Sequence, residues 1–337
     1  MAYLSILGKH KALTAAGAAV AAPLVAWAGF SVVSHALYHR SNFSTASELY
    51  FRLTAGRKKL SDPLTFDNYL LEQAAANEQP ATVPDMLAFR TSVESIDIQG
   101  TETFLLNRRD RNDRAVIYLH GGNFVRRPTV YQWRFADTVA RRTRAEVFMP
   151  MYPLVPVHTH AEAHASVEAV YRWVVDEYGA RNVTLMGDGA GGGLAVSFAQ
   201  RLKELGLEQP SHLILISPWV DVTLGNPLVD EYEANDPLLA SYGLRKVGVL
   251  WSRGTEDTNP LVSPINGEVR GLRNVMVFVG TRELLYPDAK LLYDRTAATG
   301  IHAEFHEGRG LNHNFPLYPT PEATRAVDAI VAAVTED

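Results

Sequence analysis

Four stretches carry residues whose types and spacing could perform acyl chemistry. His120-Gly121-Gly122 closes an apolar run, Ala115–His120. Glycines there let backbone N–H groups face a reacting carbonyl unobstructed and stabilise the oxyanion that forms on attack. Gly187-Asp188-Gly189-Ala190-Gly191-Gly192 lies between the apolar run Val183–Gly187 and a helical stretch. A nucleophile elbow reads G-x-S-x-G in this strand–turn–helix setting. Gly187 and Gly191 match its small flanking residues, but its centre is Gly189, which has no side chain to attack with. Asp188 is one position early and is expected to point elsewhere. Glu283 follows the apolar run Val275–Gly280 and is the candidate acid that orients a histidine, with Asp288 in reserve. His313, in the loop Gly310–Phe315, comes after the acid, as the chain order nucleophile, acid, histidine requires, and would act as general base and then general acid. His120 is expected to hold the glycine loop by hydrogen bonds. A phosphate-binding glycine loop competes for Gly187–Gly192, but the chain lacks G-x-x-x-x-G-K-[ST], and a dinucleotide fingerprint usually comes earlier in a sheet.

Positioning these residues requires strands that end at one edge. Besides the runs above, Glu146–Tyr152, His212–Ser217 and the shorter Ala303–His306 are apolar enough to be strands covered on both faces. Helical stretches alternate with them at Tyr131–Arg142, Ala161–Glu177, Leu194–Leu205, Asp288–Thr299 and Glu322–Val334. Alternation of this kind predicts a mainly parallel, doubly wound sheet, with function at the carboxyl ends of its strands. Ser41–Lys59 and Pro63–Ala76 have helical composition, so residues 41–92 are expected to form a helical lead-in that contributes to a cap. The main domain is expected over 93–337, with a cap insertion around 221–266, where strand signals are few. Trp133, Trp219, Tyr152 and Phe124 are candidate pocket walls or core.

The chain has 337 residues and a formal net charge of −5, a mildly acidic balance that gives no sign of nucleic-acid binding. It has no cysteine, which excludes disulfides and a cysteine nucleophile. Residues 12–34 form a run without a charged side chain, preceded by Lys9 and Lys11. A membrane-crossing helix needs roughly 20 such residues. The run within 1–40 is therefore expected to be a transmembrane anchor or, with Ala26-Trp27-Ala28, a signal segment cut after Ala28, with a soluble, Ala-rich helix packed on the body as the third reading. The first two place the protein at a membrane or outside the cell.

Taken together, from about Asp97 to Val334, the chain resembles the hormone-sensitive-lipase-like esterases and lipases of the α/β-hydrolase fold. The resemblance rests on His120-Gly121-Gly122, Tyr152-Pro153-Leu154-Val155-Pro156, the G-D-x-A-G-G elbow, Ser217-Pro218-Trp219, Glu283 and His313. It implies an oxyanion hole from the amides of Gly121, Gly122 and Ala190, an acyl-ester or lipid-like small-molecule ligand, and neither metal nor organic cofactor. Glycine at 189 departs from the pattern and leaves three readings open. The chain is a scaffold with little or no acyl-enzyme hydrolysis that binds a small molecule or lipid, an inactivated Ser→Gly form of a carboxylesterase, or an esterase using water activated directly by His313.

Overall fold

A computed structural model describes residues 26–54, 56–109 and 112–336. Among the described residues, eight strands form one sheet in the order β1-β2-β4-β3-β5-β6-β7-β8. They are β1 (Val93–Ile98), β2 (Thr101–Leu106), β3 (Ala115–Leu119), β4 (Glu146–Pro150), β5 (Val183–Asp188), β6 (His212–Ile216), β7 (Val275–Gly280) and β8 (Ala303–Gly308). From β4 to β8 every neighbouring pair is parallel, while β1–β2 and β2–β4 are antiparallel. The central strands β3, β4, β5 and β7 are buried at every position, which is why they read as unbroken apolar runs. The β1–β2 hairpin turns through Gln99 and Gly100, both at positive φ, with the Gly100 amide bound to Asp97.

Helices cover both faces. Val130–Thr143 and Pro321–Thr335 pack on one, over a core that includes Tyr118, Met186 and Phe278. His160–Tyr178, Gly189–Arg201 and Tyr286–Ala297 pack on the other, over Ile117, Leu185 and Val277. The helix predicted from Leu194 starts at Gly189, directly on the turn from β5. Thr129 and Thr159 begin their helices with capping boxes, using Gln132 and Glu162.

The lead-in forms three helices, α1 (Asn42–Leu53), α2 (Lys58–Ser61) and α3 (Pro63–Glu78). Ser41 caps α1, and its amide and hydroxyl both donate to Glu322 at the start of the last helix. Within 221–266 lie two more helices, Val229–Glu233 and Ser241–Trp251.

The transmembrane expectation is corrected: among the described residues no helix is long and apolar enough to cross a membrane. The described end of the run is helical over 26–32 and continues as a π-helical turn, Val33–Leu37. That stretch spans about 18 Å at 1.5 Å per residue, short of the hydrocarbon thickness. Residues 12–25 of the run lie outside the described residues.

Candidate active site

Glu283, in the turn after β7, accepts a hydrogen bond from His313 Nδ1 at 2.6 Å on Oε2. Its Oε1 accepts from the Gly280 amide and from the Ser217 hydroxyl, each at 2.7 Å. The carboxylate is fully buried and saturated with donors, so it has one position to occupy. Ser217 in turn accepts the Asn314 amide at 2.9 Å, which fixes the loop that carries the imidazole. Burial alone would push the His313 pKa down, but the charge of Glu283 and its hydrogen bond outweigh that, and the pKa lies above its ordinary value.

Asp288 is not the acid. It sits in the first turn of Tyr286–Ala297 and accepts from Asn226 at 2.9 Å. Burial raises its pKa to about 6. Asp288, the reserve to Glu283 in the sequence, makes no hydrogen bond to His313, whose Nδ1 goes to Glu283.

The elbow brings residue 189 to the imidazole. Gly189 has φ +51°, the left-handed region that the sharp strand-to-helix turn imposes. A Cβ placed on it would lie 3.3 Å from His313 Nε2 and 3.6 Å from Asn314 Nδ2. Its neighbour differs: a Cβ on Gly191 would stand 2.0 Å from the Leu119 carbonyl oxygen, so only glycine fits there. Gly191 is thus demanded by packing, whereas Gly189 faces side chains that could meet one of its own.

Asp188 points away from the imidazole edge, as expected, into a buried hub. Oδ1 accepts from the Tyr118 hydroxyl at 2.6 Å and the Gly121 amide at 2.8 Å. Oδ2 accepts from the side-chain amides of Asn314 at 2.8 Å and Gln132 at 3.2 Å. Burial raises its pKa, and the hydrogen bonds from Tyr118, Gly121 and Gln132 together with the charge of His313 oppose the rise. The hub corrects one expectation. The Gly121 amide is spent on Asp188 and is not available to an oxyanion. The amides of Gly122 and Asn123, which line the same pocket as His313, donate to no protein acceptor among the described residues. Ala190 lies in the first turn of its helix, where backbone donors are unpaired.

His120 holds the loop rather than reacting. Its ring stacks on Tyr152, with centroids 4.6 Å apart, and Nδ1 bonds to the Gly121 carbonyl at 2.9 Å. Complete burial lowers its pKa to about 4, so the ring is neutral near pH 7.

His313 opens onto a pocket of about 390 Å³ roofed by the lead-in helices, through Tyr50, Phe51, Leu60 and Tyr69, and by Leu238 and Leu239 from within 221–266. None of Trp133, Trp219, Tyr152 and Phe124 lines it. All four are core, and Phe124 stacks flat on Trp251 at 3.7 Å. Beyond the sequence reading, Asn314 and Asp236 belong to the site. Asp236 is buried, accepts the amides of Leu238, Leu239 and Leu284, and is raised to about 6 by burial. Its three amides lie on two loops, so it fastens the roof to the acid loop.

Residues 116–317 match the model of a family described by its α/β-hydrolase fold. The chain belongs to that family. This α/β-hydrolase is 30% identical to esterase LipU of Mycobacterium tuberculosis over 236 residues, which is 67% of this chain and 79% of that one. It is 29% identical to an acetyl-hydrolase of Streptomyces hygroscopicus over 65% of this chain and 74% of that one. Among solved structures, a candidate esterase from Staphylococcus aureus superposes with a TM-score of 0.80 at 30% identity, covering 85% of this chain and 96% of that one. The α/β-hydrolase is thus esterase- and lipase-like in sequence and in fold.

Proposed function

We propose that the chain is a carboxylic-ester hydrolase-type protein that binds an acyl ester and, with Gly189 at the elbow, forms no acyl-enzyme and hydrolyses the ester little or not at all. One observation carries this reading. The position facing His313 Nε2 belongs to Gly189, whose built Cβ lies 3.3 Å away, while Nδ1 of the same ring is held by Glu283 at 2.6 Å. That is the arrangement of a base oriented by an acid and aimed at a nucleophile, at a residue with no hydroxyl. The oxyanion donors in this reading are Gly122, Asn123 and Ala190.

Loss of a serine nucleophile in a serine protease lowers turnover by about 10⁶ and leaves roughly 10³–10⁴ over the uncatalysed rate from binding and the oxyanion hole. The same scale is expected here. A fluorophosphonate probe tests the reading by intact-mass analysis: the chain as written stays unlabelled, and Gly189→Ser gains one adduct on residue 189. Labelling of the glycine form, or none of the serine form, overturns it.

A further inference from the structure

The pocket above His313 has a charge opposite to that of the whole chain. Its lining contains Arg126 and Lys59 and no aspartate or glutamate, although the chain carries a net charge of −5. Arg126 is placed by the oxyanion loop itself. Its amide donates to the Gly122 carbonyl at 2.9 Å, so its side chain leaves the main chain one turn from the Gly122 amide. The guanidinium has no carboxylate partner among the described residues, and its charge partly opposes the rise that burial imposes on the Tyr69 hydroxyl and that burial and Asp188 impose on Tyr318. Lys59 stands on the roof, 5.7 Å from the Tyr69 ring, with only an exposed 3.6 Å contact to Glu72. The polar lining also includes Tyr50, Tyr131 and Gln73, each of which can donate a hydrogen bond.

The acids nearest the pocket act from behind its wall, and the charges of Asp188 and Glu283 reach Tyr318 and His313 in its lining, but none of them presents a free carboxylate to the cavity. Glu283, Asp188 and Asp236 are buried behind its wall and already accept three, four and three hydrogen bonds. The N-terminus of the helix that starts at Gly189 adds partial positive charge from below.

We infer that the pocket is built for an anionic ester, one whose acyl or alcohol part ends in a carboxylate or phosphate that pairs with Arg126, with Lys59 as second cation. Resting on the ester reading above, this assigns the ligand class. The acyl carbon meets residue 189, and the anion lies toward the mouth between α2 and the oxyanion loop. Both cations are solvent-accessible, so the pairing is sensitive to salt.

The test uses Gly189→Ser as a hydrolytic reporter and two matched pairs. One places the charge on the acyl side: 4-nitrophenyl hydrogen adipate against 4-nitrophenyl methyl adipate. The other places it on the alcohol side: 1-butyrylglycerol 3-phosphate against 1-butyrylglycerol. In at least one pair the charged member has kcat/KM about tenfold above its neutral partner, the size of one charge-assisted pairing. The ratio falls toward one in about 0.5 M salt and in Arg126→Gln, with Lys59→Gln giving a smaller fall. Ratios at or below one in both pairs overturn the inference while leaving the ester reading standing. So does a preference that survives Arg126→Gln. If Gly189→Ser cleaves none of the four, the ester reading fails. Calorimetry on the chain as written then decides the inference alone: monomethyl adipate binding about tenfold tighter than dimethyl adipate sustains it, and equal binding refutes it.

Discussion

The side-chain amide of Asn314 donates to Asp188 at 2.8 Å, which joins the loop of the histidine to the end of β5. Through Gly121, the same carboxylate also holds the loop that follows β3. One buried acid thus sets the relative position of imidazole, elbow and oxyanion donors. Asp188→Asn presents an amide where four donors converge, leaving at least one buried donor unpaired. The expected cost is about 2–4 kcal/mol, read as a melting temperature several degrees lower. In the Gly189→Ser background, kcat falls more than KM rises. An unchanged melting temperature would contradict this role.

The two glycines of the elbow separate strain from collision. Gly189→Ala adds a Cβ 3.3 Å from His313 Nε2, a tight approach to a side chain rather than a collision with backbone, and does so at positive φ, which costs about 1–2 kcal/mol. Gly191→Ala drives a Cβ to 2.0 Å from the Leu119 carbonyl and is expected to cost more than about 4 kcal/mol or prevent folding. Denaturant melts of the two variants, compared side by side, check the order. Equal destabilisation would show that the turn is not shaped as described.

Two histidines give opposite pH signatures. Burial disfavours protonated His313, but Glu283 more than compensates, so its folded pKa lies above the unfolded value. Its contribution to stability is fully present below about pH 6.5 and disappears as pH rises through the raised pKa. Glu283→Gln removes the effect and moves the His313 resonance, followed by NMR titration, to lower pH. His120 runs the other way. Burial lowers its pKa to about 4, so its contribution, about 3 kcal/mol from the fall below 6.5, is present above pH 6.5 and lost as pH drops toward 4. In Gly189→Ser, hydrolysis needs neutral His313, so activity climbs with pH through that raised pKa. A profile with no limb above pH 6.5 would be inconsistent with Glu283 acting on His313.

Lead-in helix α1 reaches the acid loop through Glu48. Its carboxylate pairs with Arg40, with Arg52 and, at 3.0 Å, with Arg282, the residue before Glu283. Arg40 is 3% exposed and also donates to the Gly310 carbonyl at 2.7 Å, at the head of the His313 loop. Removing one partner of a buried pair costs about 3–5 kcal/mol, so Glu48→Ala is expected to destabilise the fold by that order and to loosen the imidazole. Hydrogen exchange at residues 310–314 checks the second effect. Exchange there as slow as in the parent would break the proposed link.

How much of this was legible in sequence depended on the range of the interaction. Strands β3 to β7 announced themselves because burial on both faces leaves only apolar choices. The β1–β2 hairpin did not, because β1 is largely open to solvent and β2, though mostly buried, begins with the polar residues Thr101, Glu102 and Thr103. Glu283 and His313 stood out by their order along the chain. Ser217, Asn314 and Asp236 act through hydrogen bonds between loops distant in sequence, and no spacing encodes those. The Gly121 amide looked free because only the side-chain direction of Asp188 decides that it is not. A motif shows which groups converge on the site, while the neighbouring side chains decide which of their atoms remain unpaired.

Pre-steady-state hydrolysis of 4-nitrophenyl butyrate by the chain as written and by Gly189→Ser tests the central claim most directly. The account predicts no burst from the glycine form. It predicts a burst of one nitrophenolate per serine-form chain, followed by steady turnover faster by several orders of magnitude, about 10⁶ at full effect. Equal rates in the two forms, or a stoichiometric burst from the glycine form, would contradict the assignment of residue 189 as the position that faces the base.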